Sequence, residues 1–140
     1  MSLLDSLAIT DSALTAERLE MDVIANNVAN ANTTRTPEGG PYKAETVFLL
    51  PGGVQEHVAG GLANAGVRVS AVVQDNRPPR LVYDPSNPEA NSKGYVAYPN
   101  VDPVTETVNM MAAQRAYQAN ITIADDVKSM AMHALDLGHI

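Results

Sequence analysis

The chain contains no Cys and no Trp, and Phe48 is its one Phe. Without Cys there are no disulfides and no thiolate metal sites. That fits a reducing compartment, and equally an exported chain that must stay unlinked while it travels. Aromatic residues make up 4% of the 140, whereas Ala occurs 20 times. Full burial of a large apolar side chain contributes ~1.5–3 kcal/mol and Ala far less. A core of Ala, Val and Met is therefore thin for a domain of this length, and part of the stability is expected to come from neighbours. Positive charge is scarce too, with nine Lys and Arg against sixteen Asp and Glu, a net charge of -7. The cations are scattered, so no basic stripe is available for a phosphate backbone, and nucleic acid is not an expected partner. No apolar run approaches the roughly 20 residues of a transmembrane helix. The opening "MSLLDSLAIT" lacks a basic n-region, a long h-region and a small-residue cleavage site, so routing by a cleaved signal peptide is not expected.

The residue sets that carry chemistry are also missing. Glu56 and His57 lack the second histidine of a zincin, and His133 and His139 do not share a helix face. The doubled glycines at 52–53 and 60–61 have no following Lys and Ser or Thr, which makes them turn residues rather than a phosphate loop. "YDPSNPEANSKGY" at 83–95 offers Asp84 and Glu89, but not at the spacing that surrounds calcium with oxygens; Asp-Pro and Asn-Pro are ordinary turn starters. No Ser, His and Asp stand in a nucleophile elbow, and the adjacent Asp125 and Asp126 read as a solvated face. The expectation is a non-enzyme with no catalytic residue, no metal and no cofactor.

What is present falls into three parts. From Ser2 to about Ala31 the pattern is helical. Leu7, Leu14, Met21 and Val28 recur every seven residues, with Leu3, Ile24 and Ala31 on the adjoining seam. Ser2 with Asp5 resembles a capping box. A second apolar line, Ile9, Ala13, Ala16 and Val23, runs along another flank and leaves Asp11, Arg18 and Asp22 to water or an ionic partner. One stripe needs one neighbour and two stripes need two. Residues 32–100 hold eight of the nine Pro and eight of the nine Gly. Their short β-branched runs at 46–50, 66–73, 80–83 and 94–98 predict strands in hairpins. From Asp102, a candidate N-cap before Pro103, helical signals return as far as Gly138. Ala116, Ile123, Met130 and Leu137 form one line of that helix, flanked by Val127 and Ala134, and Tyr117, Ile121, Ala124, Ala131 and Leu135 a second.

The fold expected is mainly α with a small β insert. Long N- and C-terminal helices, in segments 1–34 and 101–140, pair as a coiled coil around a β-hairpin-rich middle, 35–100. A helical hairpin in a small soluble binding module or chaperone would show the same heptads. The polar content of the flanks favours an assembly subunit: Asn26, Asn27 and Asn30 in the first helix, with Gln114, Gln118 and Asn120 in the second. Amides in a helical seam specify register at some cost in stability. On this reading the partners of the asparagines come from neighbouring chains, and their loss is expected to weaken assembly while a single chain feels little. Arg115, beside Gln114 and Tyr117, is the charge expected to matter most between subunits.

The stretch "LEMDVIANNVANANTTRTPEGGPYKAETVF" at 19–48 resembles the amino-terminal motif of bacterial flagellar axial proteins, in the version of the proximal-rod branch marked by "TPEGGPY". "LVYDPSNPEANSKGYVAYPNVDPVTETVNMMAAQRAYQAN" at 81–120 and "KSMAMHALDLG" near the end are similar to the same branch. Only residues 51–79 are unspecific. A different rod or hook component would share the helices but not the middle text. The resemblance implies a structural rod subunit, part of a hollow drive shaft that crosses the periplasm, surrounds an export channel and transmits torque. It implies other rod proteins, copies of itself, membrane-ring and rod-adaptor proteins and the flagellar export apparatus as partners. It also implies export through the flagellar secretion system. The residues expected at subunit interfaces are Leu7, Leu14, Met21, Ile24, Asn26, Asn27, Val28, Asn30, Arg115, Ala116, Tyr117, Asn120, Ile123, Met130 and Leu137.

Overall fold

A computed structural model describes residues 3–54 and 65–137. Ser2, Glu56, His57, the 60–61 glycines, Gly138 and His139 lie outside the described residues. The element order is α1 (Leu3–Ala29), β1 (Glu45–Val54), β2 (Ala65–Gln74), β3 (Arg80–Tyr83), β4 (Tyr95–Tyr98) and α2 (Pro103–Leu137). All four strand runs and both helices stand where the sequence pattern puts them, in a mainly α chain with a small β part.

β1 and β2 form one antiparallel pair, β3 and β4 another. Phe48 faces Ala71 and Leu49 faces Val69, so Ser70 is an extra residue on β2, a bulge that bends the ribbon. Val47, Val67 and Val69 are half-buried, whereas Thr46, Phe48, Leu50 and Val73 are exposed. The first set lies on the side that α1 covers, since α1 touches both strands. α1 also closes the strand edges with side chains. The backbone N–H of Val67 donates to Ser12 Oγ at 3.1 Å, and Asn27 meets the backbone of Glu45. Fifteen helical residues span ~22 Å, about what the strands need to run from Glu45 to the Pro51–Val67 pair at ~3.3 Å per residue. The ribbon therefore lies along the helix.

Between α1 and β1 the chain folds back through two turn bonds, Gly39 N–H to Thr36 O and Thr36 N–H to Gly40 O. Both glycines have positive φ, the region open to Gly without strain. Tyr42 then returns to α1, its N–H donating to Thr33 O at 3.0 Å. Ala31, Val96, Pro99 and Val101, in and around this segment and β4, are buried. Thr34 Oγ1 donates to Glu89 and ties this segment to the loop between β3 and β4.

α2 starts as expected. Asp102 Oδ1 accepts the N–H of Val104 and Oδ2 accepts the Thr105 hydroxyl, with Pro103 at the first helical position. Among the described elements α2 touches α1 alone. Asn27, near the end of α1, bonds Glu106, near the start of α2, so packing between the helices requires α2 to run back along α1. The side turned to α1 carries Glu106, Met110, Ala113, Tyr117, Asn120, Ala124, Val127 and Ala131, all buried or half-buried at alternating spacings of four and three. Three of these, Tyr117, Ala124 and Ala131, belong to the second of the two lines seen in the sequence. Of the first line Ile123 and Met130 are exposed, whereas Ala116 is half-buried and Val127 on its flank is buried; of the second line Ile121 and Leu135 are exposed. Two apolar lines of equal period cannot be ranked by period alone. The side turned to α1 carries Ala113, Ala124 and Ala131, where small side chains permit close approach.

Among the described residues the buried apolar side chains are Ala16, Val23, Ile24, Ala31, Ala65, Val96, Pro99, Val101, Ala113 and Val127, with no Leu, Met or aromatic among them. The accessible surface is 9773 Å². A compact protein of 14.8 kDa exposes only ~7,000 Å².

Candidate assembly interface

The asparagines at the end of α1 divide into two groups. Asn27 is buried, 2% exposed, and all of its polar capacity is used inside the chain. Its Nδ2 donates to Glu45 O at 2.8 Å and to Glu106 Oε2 at 3.1 Å. Its Oδ1 accepts the N–H of Glu45 at 2.8 Å and the Tyr42 hydroxyl at 3.0 Å. The carboxamide thus pairs with Glu45 as a neighbouring strand would, and at the same point ties α1 to α2 and to the folded-back linker. Asn26 and Asn30 serve the helix end. Asn30 Nδ2 donates to Asn26 O and Oδ1 at 3.0 Å and its Oδ1 accepts from Thr33 Oγ1, while Asn26 Nδ2 donates to the Tyr42 hydroxyl at 3.2 Å. The last turn of a helix leaves carbonyls unsatisfied, and these amides occupy that region. The expectation that their partners come from other chains is therefore corrected for Asn27: its partners are Tyr42, Glu45 and Glu106 of the same chain. Those three were not singled out in the sequence. The one signal for them is that "TPEGGPYKAE" makes a tight turn soon after the asparagines.

A cavity of about 200 Å³ adjoins this junction, lined by Asn27, Glu45, Asp75, Arg77, Asp102, Glu106 and others. Asp75 is held below the usual carboxylate range by hydrogen bonds from Arg77, whose Nε lies 2.6 Å away. Burial raises the Tyr42 hydroxyl, and the carboxylates of Glu45 and Glu106 raise it further, which keeps it a neutral donor to Asn27. Burial, and after it the neighbouring Glu20, raises Glu17 on α1. Among the described residues no group of three or more His, Asp or Glu is placed to hold a metal ion, and no helix is long and apolar enough to cross a membrane.

The other sequence-derived residues spread over both helices. On α1, Ile24 is buried, Leu7, Leu14, Met21 and Asn30 are half-buried, and Asn26 and Val28 are exposed. On α2, Ala116, Tyr117 and Asn120 are half-buried, whereas Arg115, Ile123 and Met130 are exposed. Leu137 is the last residue of α2. Asp11, Arg18 and Asp22 are exposed, as their position off both apolar lines of α1 requires. The outward side of α2 is unusually apolar for a solvent face: Val104, Val108, Met111, Ile123, Met130 and Met132 are each about half or more exposed. Exposed apolar surface of this extent marks an interaction site.

Residues 7–35 match the family described as "Flagella basal body rod protein", and residues 92–137 match "Flagellar basal body rod FlgEFG protein C-terminal". The chain is 46% identical over 138 residues to the "Flagellar basal-body rod protein FlgC" of Escherichia coli O6:H1, and 45% identical over 138 residues to that of Salmonella typhimurium. It is 41% identical over 149 aligned positions to the protein of that name in Bacillus subtilis. In each case 99% of both chains is covered.

Proposed function

The chain belongs to the FlgC family of flagellar basal-body rod proteins and is a structural subunit of the rod, and we propose that its terminal helices pair as a coiled coil and build the rod through their outer faces. On this reading segments 1–34 and 101–140 are one core unit and 35–100 is an insert that makes contacts further out. The subunit belongs to the proximal part of the rod, assembles with copies of itself and with other rod proteins, and meets the membrane-ring and adaptor proteins. The rod is the hollow shaft that carries torque across the periplasm around the export channel. The subunit reaches it through the flagellar secretion apparatus without a cleaved signal peptide, and its role is mechanical rather than catalytic.

The observation that supports this reading is α2. It has one helical neighbour among the described elements, yet it exposes Ile123, Met130, Met132 and Leu135. A lone helix pair gains nothing from apolar groups in water, whereas a packed tube buries them at ~25 cal/mol per Å². Ile123→Glu and Met130→Glu in a flagellated host are expected to leave the soluble chain folded and to abolish swimming, with the subunit missing from isolated basal bodies. Normal swimming by the double variant would refute the proposal.

A further inference from the structure

The net negative charge of the chain is confined to its helices. Residues 35–100 carry six cationic and six anionic side chains and are neutral, so the whole of the -7 lies on the two terminal segments. The end of the helix pair remote from Asn27 holds Asp5, Asp11, Asp125, Asp126 and Asp136 against Lys128, a net -4 of that -7, beside an apolar surface. If Asn27 faces Glu106 and both helices rise ~1.5 Å per residue, Leu3 lies level with about residue 130, and the last turns of α2 extend past α1. Leu3, Leu4, Ile123, Met130, Met132 and Leu135 are exposed there. Asp11, Asp125, Asp126 and Asp136 are exposed around them and form no ion pair among the described residues, where Lys128 is the one exposed Lys or Arg of the stretch.

The apolar groups call for a partner helix, and the charges select it. A second copy docked on this end would bring its own aspartates against these, at separations that a packed helix pair holds below the Debye length. Like charges set face to face across an interface suppress a partner, and opposite charges favour it. We infer that the remote end of the helix pair takes a helix from a different subunit, one that brings Lys or Arg side chains to the aspartate rim, in preference to a second copy of this chain. The inference rests on reading the chain as a rod subunit and names the chemistry of the neighbour at one of its faces.

The test uses the full chain and two synthetic amphipathic peptides of about three heptads, both with a Leu seam, one flanked by Lys and the other by Glu. Fluorescence anisotropy at ~0.05 M and ~1 M salt is expected to show the Lys peptide binding at least tenfold more tightly at low salt. The gap should close at high salt. Asp125→Lys with Asp126→Lys, both at exposed positions, should invert the preference, while Asp84→Lys in the middle segment should leave it unchanged. Ile123→Ser with Met130→Ser should weaken both peptides at either salt concentration. Equal affinity for the two peptides, a preference that survives the Asp125 and Asp126 changes, or self-association of the chain through this face at low salt would overturn the inference. Each of those outcomes leaves the rod reading standing if Ile123→Glu still blocks swimming.

Discussion

Asn27→Ala puts the junction between helices and ribbon to the most direct test. The substitution removes four hydrogen bonds at one buried point, two to the backbone of Glu45 and one each to Tyr42 and Glu106. The Tyr42 hydroxyl and the Glu106 carboxylate are side-chain groups that can turn to water. The Glu45 N–H and C=O are fixed by β1 and cannot. Leaving a buried polar group unsatisfied costs ~1–3 kcal/mol. Because Glu45 is half-buried, the lower end applies to each of its two groups, about 2 kcal/mol in all. Against this stands the better helix propensity of Ala, at most ~0.7 kcal/mol. The isolated chain should therefore lose between 1 and 2 kcal/mol on these figures, roughly.

Urea unfolding followed by far-ultraviolet circular dichroism measures that loss. Asn27→Asp should cost more than Asn27→Ala, since a carboxylate would face the Glu45 carbonyl and the Glu106 carboxylate where Nδ2 now donates. Its deficit should shrink as pH falls and the new acid is neutralised. Asn26→Ala, at an exposed position with a 3.2 Å bond to Tyr42, should be close to neutral. An unfolding midpoint for Asn27→Ala within error of the parent chain would refute the reasoning and return Asn27 to the role of an intersubunit contact.

Gly94 has φ +82°, and a Cβ there would stand 2.8 Å from the Tyr83 ring, so Gly94→Ala should cost ~1–3 kcal/mol and disturb the Tyr83–Tyr95 contact, visible in the near-ultraviolet spectrum. The Asp102 carboxyl is held below its ordinary value chiefly by the Thr105 hydroxyl and then by the Val104 N–H. Its contribution to α2 is therefore present above pH ~4 and lost as pH falls through the lowered value; a drop in the protection factor of the Val104 amide in acid would show it, and Asp102→Ala should abolish that pH dependence. Glu17 has the opposite sign. Burial and Glu20 raise it, so its charged form opposes folding above the raised value and the opposition disappears in acid. Glu17→Gln should raise the thermal midpoint at pH 7 and change it little near pH ~4, and equal shifts at both would contradict the assignment.

The heptads, the Pro and Gly boundaries of the middle segment, the four strand runs and the Asp102–Pro103 helix start were legible because each is a local signal read over a few residues. The choice of helix face was not. Both lines of α2 are apolar at the same period, and the side turned to α1 includes Glu106 and Asn120, which hydropathy alone would place outside. The role of Asn27 was hidden for a related reason. A buried amide in a helix signals only that partners exist, and the partners, Tyr42, Glu45 and Glu106, come from three other parts of the chain. Tyr42 and Glu45 return to α1 because the Thr36–Gly40 turn reverses the chain. Glu106 returns because α2 folds back from the first residues after Val101. Junction and outer face are thus of different chemistry: polar groups tie the helix pair to the ribbon inside one chain, and on the proposed reading the apolar groups on the far side of α2 meet other chains. A helix whose exposed line were as polar as Asp11, Arg18 and Asp22 make that of α1 would stop at the hairpin; the line of Ile123 and Met130 does not.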